Sequence, residues 1–230
     1  VPTAVNASPV FGAPQDLPRG PHRLSRDEVR ESQRRRLLAA CVDIVADRGF
    51  AAATTAAIAR HAGVSPRTFY DHFEDKLAGL LAAYDLFAQE LFTRLVAALQ
   101  ADDDVEAIMD RTVTAYLSIW QENPQAAKAF LIEMESAGPV ARRRRRDANV
   151  VFAAGIRAVH ERVREHDPTL GDLSFAAFRG VVHGVRELTR DALETGPPEA
   201  LLGIKVEVID WLRLVLRGRP PTRYVAPAAG

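Results

Sequence analysis

From about Ser25 to Arg217 the apolar residues of this chain recur at three- and four-residue steps, and no stretch alternates convincingly with period two. That regularity restricts the fold class to all-α. A helix brings the same face round every ~3.6 residues, so its buried positions repeat at that interval, whereas a strand repeats at every second residue. Val29, Leu37, Ala40, Cys41, Ile44 and Val45 form the first apolar stripe, and Leu77, Leu80, Tyr84, Phe87, Leu91 and Leu95 form a longer one. The punctuation agrees. Gly49, able to take a positive φ, ends the first helix. Thr54 or Thr55 caps a short helix over 56–61. Ser65 followed by Pro66 is an N-cap with proline at the first helical position, opening a helix that runs to Phe73. A long helix begins near Asp75, and Asp102-Asp103-Asp104 cap the next one, which Pro124 ends. Further helices are predicted over 126–135, 139–165, 173–194 and 199–217, set off by Pro168, Gly171, Gly196, Pro197 and Pro198. The chain therefore reads as about nine helices.

At 230 residues it has room for one large domain or two small ones. The content, 47% hydrophobic and 26% charged, excludes disorder along the whole chain. Residues 1–22 are the exception: five prolines and little apolar periodicity predict a flexible arm unable to bury enough surface to offset ordering. The Pro/Ala-rich tail from Gly218 is expected to fray. A single cysteine excludes a disulfide scaffold, and Cys41 lies on an apolar stripe, as a core residue would. Outside the proline-rich start, the longest run without Asp, Glu, Lys or Arg is 49–59, too short to span a membrane. The first residues lack the basic and apolar regions of a signal peptide, so the expected compartment is the cytoplasm.

The formal net charge is zero, at face value a poor match to nucleic acid. The zero is a sum of unlike parts. Residues 23–76 hold ten basic and eight acidic side chains, 77–140 hold three and ten, and 141–166 hold eight and three. Only a small surface needs to be positive to meet DNA.

The informative segment is 54–76, TTAAIARHAGVSPRTFYDHFEDK. Two short helices joined by a glycine-containing turn make a helix-turn-helix, which lays its second helix in the major groove while the first braces the backbone. Ile58, Ala59, Ala62, Val64 and Phe69 supply the small apolar inner face, and Gly63 permits the turn. Ser65, Arg67, Thr68, Tyr70 and His72 lie on the outer face, with groups that reach phosphates, base edges and thymine methyls.

On these residues the chain resembles the TetR family of transcriptional regulators: Thr55-x-x-Ile58-Ala59, Ala62-Gly63-Val64-Ser65, Thr68-Phe69-Tyr70-x-His72-Phe73 and Lys76-x-x-x-Leu80. The resemblance is close over about residues 33–93. It implies that Thr55 bonds a phosphate at a helix N-terminus, that Tyr70 and His72 contact phosphates and sugars, and that Lys76 pairs with a phosphate. Ser65, Pro66, Arg67 and Thr68 take the positions that vary and read sequence. Arg67 could grip a guanine bidentately or hold a phosphate. Arg34, Arg35 and Arg36, with Arg23 and Arg26, are further candidates for phosphate contact.

The resemblance also implies a division into a helix-turn-helix domain over 23–76 and an effector-binding and dimerisation domain over 77–217. The partners would be double-stranded operator DNA, a second copy of the chain and an unknown small-molecule effector, with no membrane. Phe175, Phe178, Val181, Val182, Val185 and Leu188 make one apolar stripe, and Leu202, Val206, Ile209, Leu212, Val215 and Leu216 another. They either pair across a twofold axis as a four-helix bundle or complete the monomer core. Gly180 and Gly184 would allow close approach at a dimer contact. Candidate pocket residues are Tyr84, Phe87, Tyr116, Trp120, Phe130, Phe152 and His183, aromatic or with a polar handle. The acidic excess of 77–140 points to a cationic effector. The five arginines at 142–146 cannot all face one way on a helix, so most are expected in solvent. No metal spacing, catalytic triad, P-loop or nucleotide fingerprint is present, so neither cofactor nor enzyme activity is expected. The expected function is a repressor released from a palindromic operator by its effector. An activator or dual regulator on the same fold, or a helical small-molecule-binding protein without DNA binding, are the alternatives.

Overall fold

The computed structural model describes residues 10–11, 25–99, 104–167 and 170–217. The fraying expected from Gly218 and most of the arm over 1–22 fall outside these. Nine α-helices and no strand occur among the described residues: α1 (Arg26–Ala52), α2 (Thr55–His61), α3 (Pro66–Tyr70), α4 (Lys76–Ala97), α5 (Val105–Glu122), α6 (Pro124–Ala127), α7 (Pro139–Arg164), α8 (Phe175–Thr195) and α9 (Lys205–Leu216).

The caps lie where polar residues precede apolar periodicity. Ser25 opens α1 with a reciprocal capping box: its hydroxyl accepts from Glu28 N at 3.2 Å, and the Glu28 carboxylate accepts from Ser25 N at 2.7 Å. Gly49, at φ +76° and ψ 156°, breaks the helix where the sequence predicts, and one further turn carries the chain to Ala52. Thr54 caps α2, Ser65 caps α3, Asp75 caps α4 and Asp104 caps α5.

Three elements differ from the sequence reading. Helix α3 stops at Tyr70 rather than Phe73, and in the turn that follows the His72 and Phe73 amides both donate to the Phe69 carbonyl, at 3.0 and 2.9 Å. The single helix predicted over 126–135 is α6, a π turn (Lys128–Ile132) and a 3-10 turn (Glu133–Glu135). Ala129, Phe130 and Leu131 are all buried there, and such consecutive burial overrides the regular helical phase. The last predicted helix divides into a 3-10 turn (Pro198–Ile204) and α9.

Helices α1 to α3 close around Leu37, Cys41, Ile58, Ala59 and Phe69. The same core continues through Leu80, Ala83, Tyr84 and Phe87 of α4 to Phe130, Leu131 and Met134. The long helix therefore joins the helix-turn-helix to the rest through one apolar body. A second core joins α5, α8 and α9 through Met109, Val113, Leu117, Val181, Val208 and Leu212. Cys41 is fully buried, and burial pushes its thiol up to about 12, so it behaves as a small core hydrophobe.

Two residues of the proline-rich arm, Val10 and Phe11, are docked rather than loose. Val10 N donates to Asn123 Oδ1 at 2.8 Å, and Phe11 stacks on Phe87 with ring centroids 6.3 Å apart. One aromatic stack and one hydrogen bond hold what proline content alone gave no reason to expect.

The apolar stripes of α8 and α9 are used largely within the chain: Phe178, Val181, Ile209 and Leu212 are buried in the monomer. Gly184 is the close-approach point for Trp211 of the same chain. A Cβ there would overlap the Trp211 ring at Cη2. Gly184→Ala is expected to destabilise the fold by about 1–2 kcal/mol through overpacking. Trp211→Leu in the same chain should recover most of that loss, as read by denaturant unfolding in a double-mutant cycle.

Candidate nucleic-acid interface and ligand cavity

The helix-turn-helix is built on a buried inner face. Phe69, Ile58 and Ala59 are inaccessible to solvent, and Gly63 turns the chain at φ +64°. Arg36 of α1 reaches across to hold that turn, its Nη1 donating to the Ala62 carbonyl at 3.0 Å. This is a scaffold role, distinct from the phosphate contact considered for it. Arg34 lies over the Phe73 ring at 4.9 Å, and Arg35 pairs with Glu31 at 3.5 Å on the surface.

On this scaffold the sequence-predicted residues form one outer surface. Tyr70 is 58% exposed although it follows a fully buried phenylalanine. Its hydroxyl and Thr55 Oγ1 lie 3.1 Å apart, bringing together two groups fifteen residues apart in sequence. Ser65 accepts from Thr68 N at 3.1 Å, and the two hydroxyls lie 2.9 Å apart. Ser65 therefore caps α3 as well as facing outward. Pro66 and Arg67 are exposed. His72 Nε2 is 3.4 Å from Gln33 Oε1. Burial, then the charges of Arg30 and Arg34, hold the ring below the usual histidine range, so it is neutral at pH 7.

Lys76, expected to pair with a phosphate, is engaged within the chain. Its ammonium donates to the carbonyls of Phe50, Ala53 and Ala51 at 2.8, 2.8 and 3.2 Å, and sits 4.6 Å from the Phe50 ring centroid. An ammonium has three donors, and all three are engaged. The lysine ties the start of α4 to the segment that leads into α2, fixing the helix that carries Thr55.

Between α4, α5, α7 and α8 lies an elongated cavity of about 280 Å³. Tyr84, Phe87, Tyr116, Trp120, Phe130 and Phe152 line it, as expected from sequence. His183 does not: it is exposed, because the inward phase of α8 is taken by Val182, Val185 and Arg186. Sequence reading missed Arg145, Asn149, His160 and Arg186, which also border the cavity. A signal existed for the first two. Arg145, Asn149, Phe152, Ile156, Val159 and Val163 recur at helical spacing on one face of α7. The arginine run divides accordingly. Arg144 pairs with Asp85 at 2.5 Å on the surface, whereas Arg145 turns inward to Glu135.

The acidic excess of 77–140 is not turned on the cavity. Glu90 and Glu122 bind Arg94 at 3.0 and 2.6 Å, and Glu106 binds Arg213 at 2.5 Å. Among the described residues the charged side chains that border the cavity are arginines. The expectation of a cationic effector is therefore corrected: sequence counts net charge, whereas pairing and helical phase decide which charges face inward. Burial pushes the Tyr84 phenol up to about 12 and also raises that of Tyr116, as an apolar enclosure requires.

An all-α body with an exposed, capped second helix on a buried helix-turn-helix scaffold defines a DNA-binding regulator. Residues 37–84 match the model of the bacterial regulatory proteins, tetR family. Over those residues the chain resembles that family, and its helix-turn-helix is that of a DNA-binding transcriptional regulator. It is 25% identical to the nucleoid occlusion factor SlmA of Marinomonas sp. (strain MWYL1) over 178 residues, 74% of this chain and 89% of that one. Against the transcriptional activator FasR of Mycolicibacterium smegmatis it is 31% identical over 108 residues, 47% of this chain and 49% of that one. The fold is similar to that of the regulator FadR from Bacillus subtilis in complex with stearoyl-CoA, with a TM-score of 0.68 and 15% identity over 80% of this chain and 98% of the other. Among the described residues no helix is long and apolar enough to cross a membrane.

Proposed function

We propose that the chain acts as a homodimeric repressor whose two recognition helices bind a palindromic operator, and that a ligand in the α4–α8 cavity releases it. The observation that carries this reading is the outer surface of Thr55, Ser65, Arg67, Thr68 and Tyr70 on a buried scaffold. Such a surface has no use in a protein that only binds a small molecule. Thr55 and Tyr70 present hydroxyls to one phosphate region, and His72, neutral in the free protein, accepts or donates beside them. Arg67 stands free to reach a base edge.

Two recognition helices must stand about 34 Å apart to meet successive major grooves, which requires a second copy. Val206 and Leu214 of α9 are 69% and 80% exposed, and nothing lies within 4 Å of a Cβ placed on Gly180. These positions on α8 and α9 supply apolar and uncrowded surface for that copy, alongside the stripe residues spent on the monomer core. Helix α4 is the lever. It begins at Lys76, beside α2, and carries Tyr84 and Phe87 into the cavity wall. A ligand that favours one setting of α4 selects one spacing of the recognition helices. The stearoyl-CoA held by the B. subtilis relative supports a ligand-controlled reading of this architecture.

Selecting bound sequences from a random DNA pool at fixed salt tests the proposal: a palindromic motif is expected, and the absence of any enriched motif overturns it. Arg67→Ala should relax the preference at one position per half-site by about 1–3 kcal/mol. An unaltered motif with uniformly weaker binding would assign Arg67 to phosphate instead. A second reading, activation, is favoured by the identity with FasR, and transcription from the bound promoter with and without the protein separates the two.

A further inference from the structure

The cavity is apolar along nearly all its length, and its few polar lining groups include two arginines at one end. Arg145 and Arg186 reach that end from α7 and α8 with side chains only 12% and 13% exposed, and Asn149, one turn beyond Arg145, is buried beside them. Resting on the effector reading above, we propose that the cavity takes a single-chain amphiphile. Arg145 and Arg186 would hold its anionic oxygen head, and its hydrocarbon tail would lie along α4 and α7.

The polar end offers donors in excess of acceptors. Arg145 Nη1 and Asn149 Nδ2 are buried without a hydrogen-bond partner. Arg145 is matched by Glu135. Arg186 is not matched as well: Nη2 donates to the Leu131 carbonyl at 3.0 Å, and among the described residues no carboxylate oxygen lies nearer than Glu187 Oε2 at 4.0 Å. Burial, and then the neighbouring Arg145, hold Arg186 below the usual arginine range. A buried charge is expensive unless paired. An anionic head supplies the missing countercharge and accepts from the idle donors. A cationic head would meet two guanidinium groups, and a neutral one would leave Arg186 uncompensated.

The rest of the wall fits a linear tail. From Tyr84 to Val96, both lining, α4 rises about 18 Å. Helix α7 runs beside it in the same sense, with Arg144 on Asp85 at one end and Phe152 against Phe92 further along, ring centroids 5.9 Å apart. The wall beyond is largely aliphatic, reaching Val159 and Val163, with His160 between them bonded to the Leu216 carbonyl at 3.2 Å.

The test uses the full chain and four sixteen-carbon probes below their micelle concentrations: hexadecanoate, hexadecanoyl-CoA, hexadecanol and hexadecyltrimethylammonium. Calorimetry should show one or both anionic probes binding at least about tenfold tighter than the alcohol and the ammonium. Arg186→Met should abolish that preference while leaving hexadecanol affinity within about threefold. If that variant does not fold, Arg145→Met carries the same test. The relative affinities of hexadecanoate and its CoA thioester identify whether the head is a free carboxylate or a nucleotide phosphate. Equal or tighter binding of the alcohol or ammonium overturns the proposal. So does a preference unchanged in both arginine variants, or no probe bound by protein that still binds DNA. Anion-selective binding without any effect on DNA affinity would uphold the site and remove its effector role.

Discussion

Lys76→Met is expected to lower the unfolding free energy by about 2–4 kcal/mol and to weaken DNA binding while leaving the salt slope unchanged. The methionine fills the aliphatic path but leaves the carbonyls of Phe50, Ala51 and Ala53 without their shared cation. Charge-assisted hydrogen bonds contribute about 1.5–3 kcal/mol each, and water reaching the exposed side of the segment recovers part of three such losses. Weaker binding then follows from a loosened α2 and a displaced Thr55. A lysine that itself neutralised a phosphate would behave differently: its removal would flatten the slope of log affinity against log salt by about one unit. Titrations at several salt concentrations separate the two roles, and a flattened slope would return Lys76 to the phosphate contacts.

Phe87→Ala should cost about 3–5 kcal/mol, the range for truncating a fully buried phenylalanine. Phe87 is 1% exposed and stands between two environments. Trp120 at 4.5 Å and Phe130 at 5.5 Å, both centroid to centroid, pack on it within the cavity wall, and Phe11 stacks on it from the arm. Its loss joins new empty volume to the existing cavity and removes the seat of the arm. Thermal unfolding should shift well below wild type. Hydrogen exchange at the Val10 amide, which donates to Asn123, should accelerate beyond the change at the α1 core amides. Equal acceleration at both would show that the arm is not seated through this ring.

Much of this protein is visible in its residues. The caps at Ser25, Thr54, Ser65 and Asp75, the break at Gly49 and the turn at Gly63 are local events, decided within a few residues. The outer and inner faces of the helix-turn-helix follow from the same local periodicity. Six of the seven candidate cavity residues line the cavity because large aromatics on an apolar stripe must face inward. His183 fails because a polar residue one step from the stripe can fall on either side of it. The docking of Phe11 was illegible, since it depends on a cleft formed by residues more than seventy positions away.

Sequence alone thus determined most of the helices, their caps and the inner and outer faces of the helix-turn-helix, because each is encoded by neighbours within about one or two turns. Tertiary structure decided what the charges do. It spent the three donors of Lys76 on backbone carbonyls, paired Glu90, Glu106 and Glu122 with arginines, and turned Arg145 and Arg186 toward an apolar cavity. A charge acts according to its partners and its exposure to water, and both are set by segments that meet only when the chain has folded.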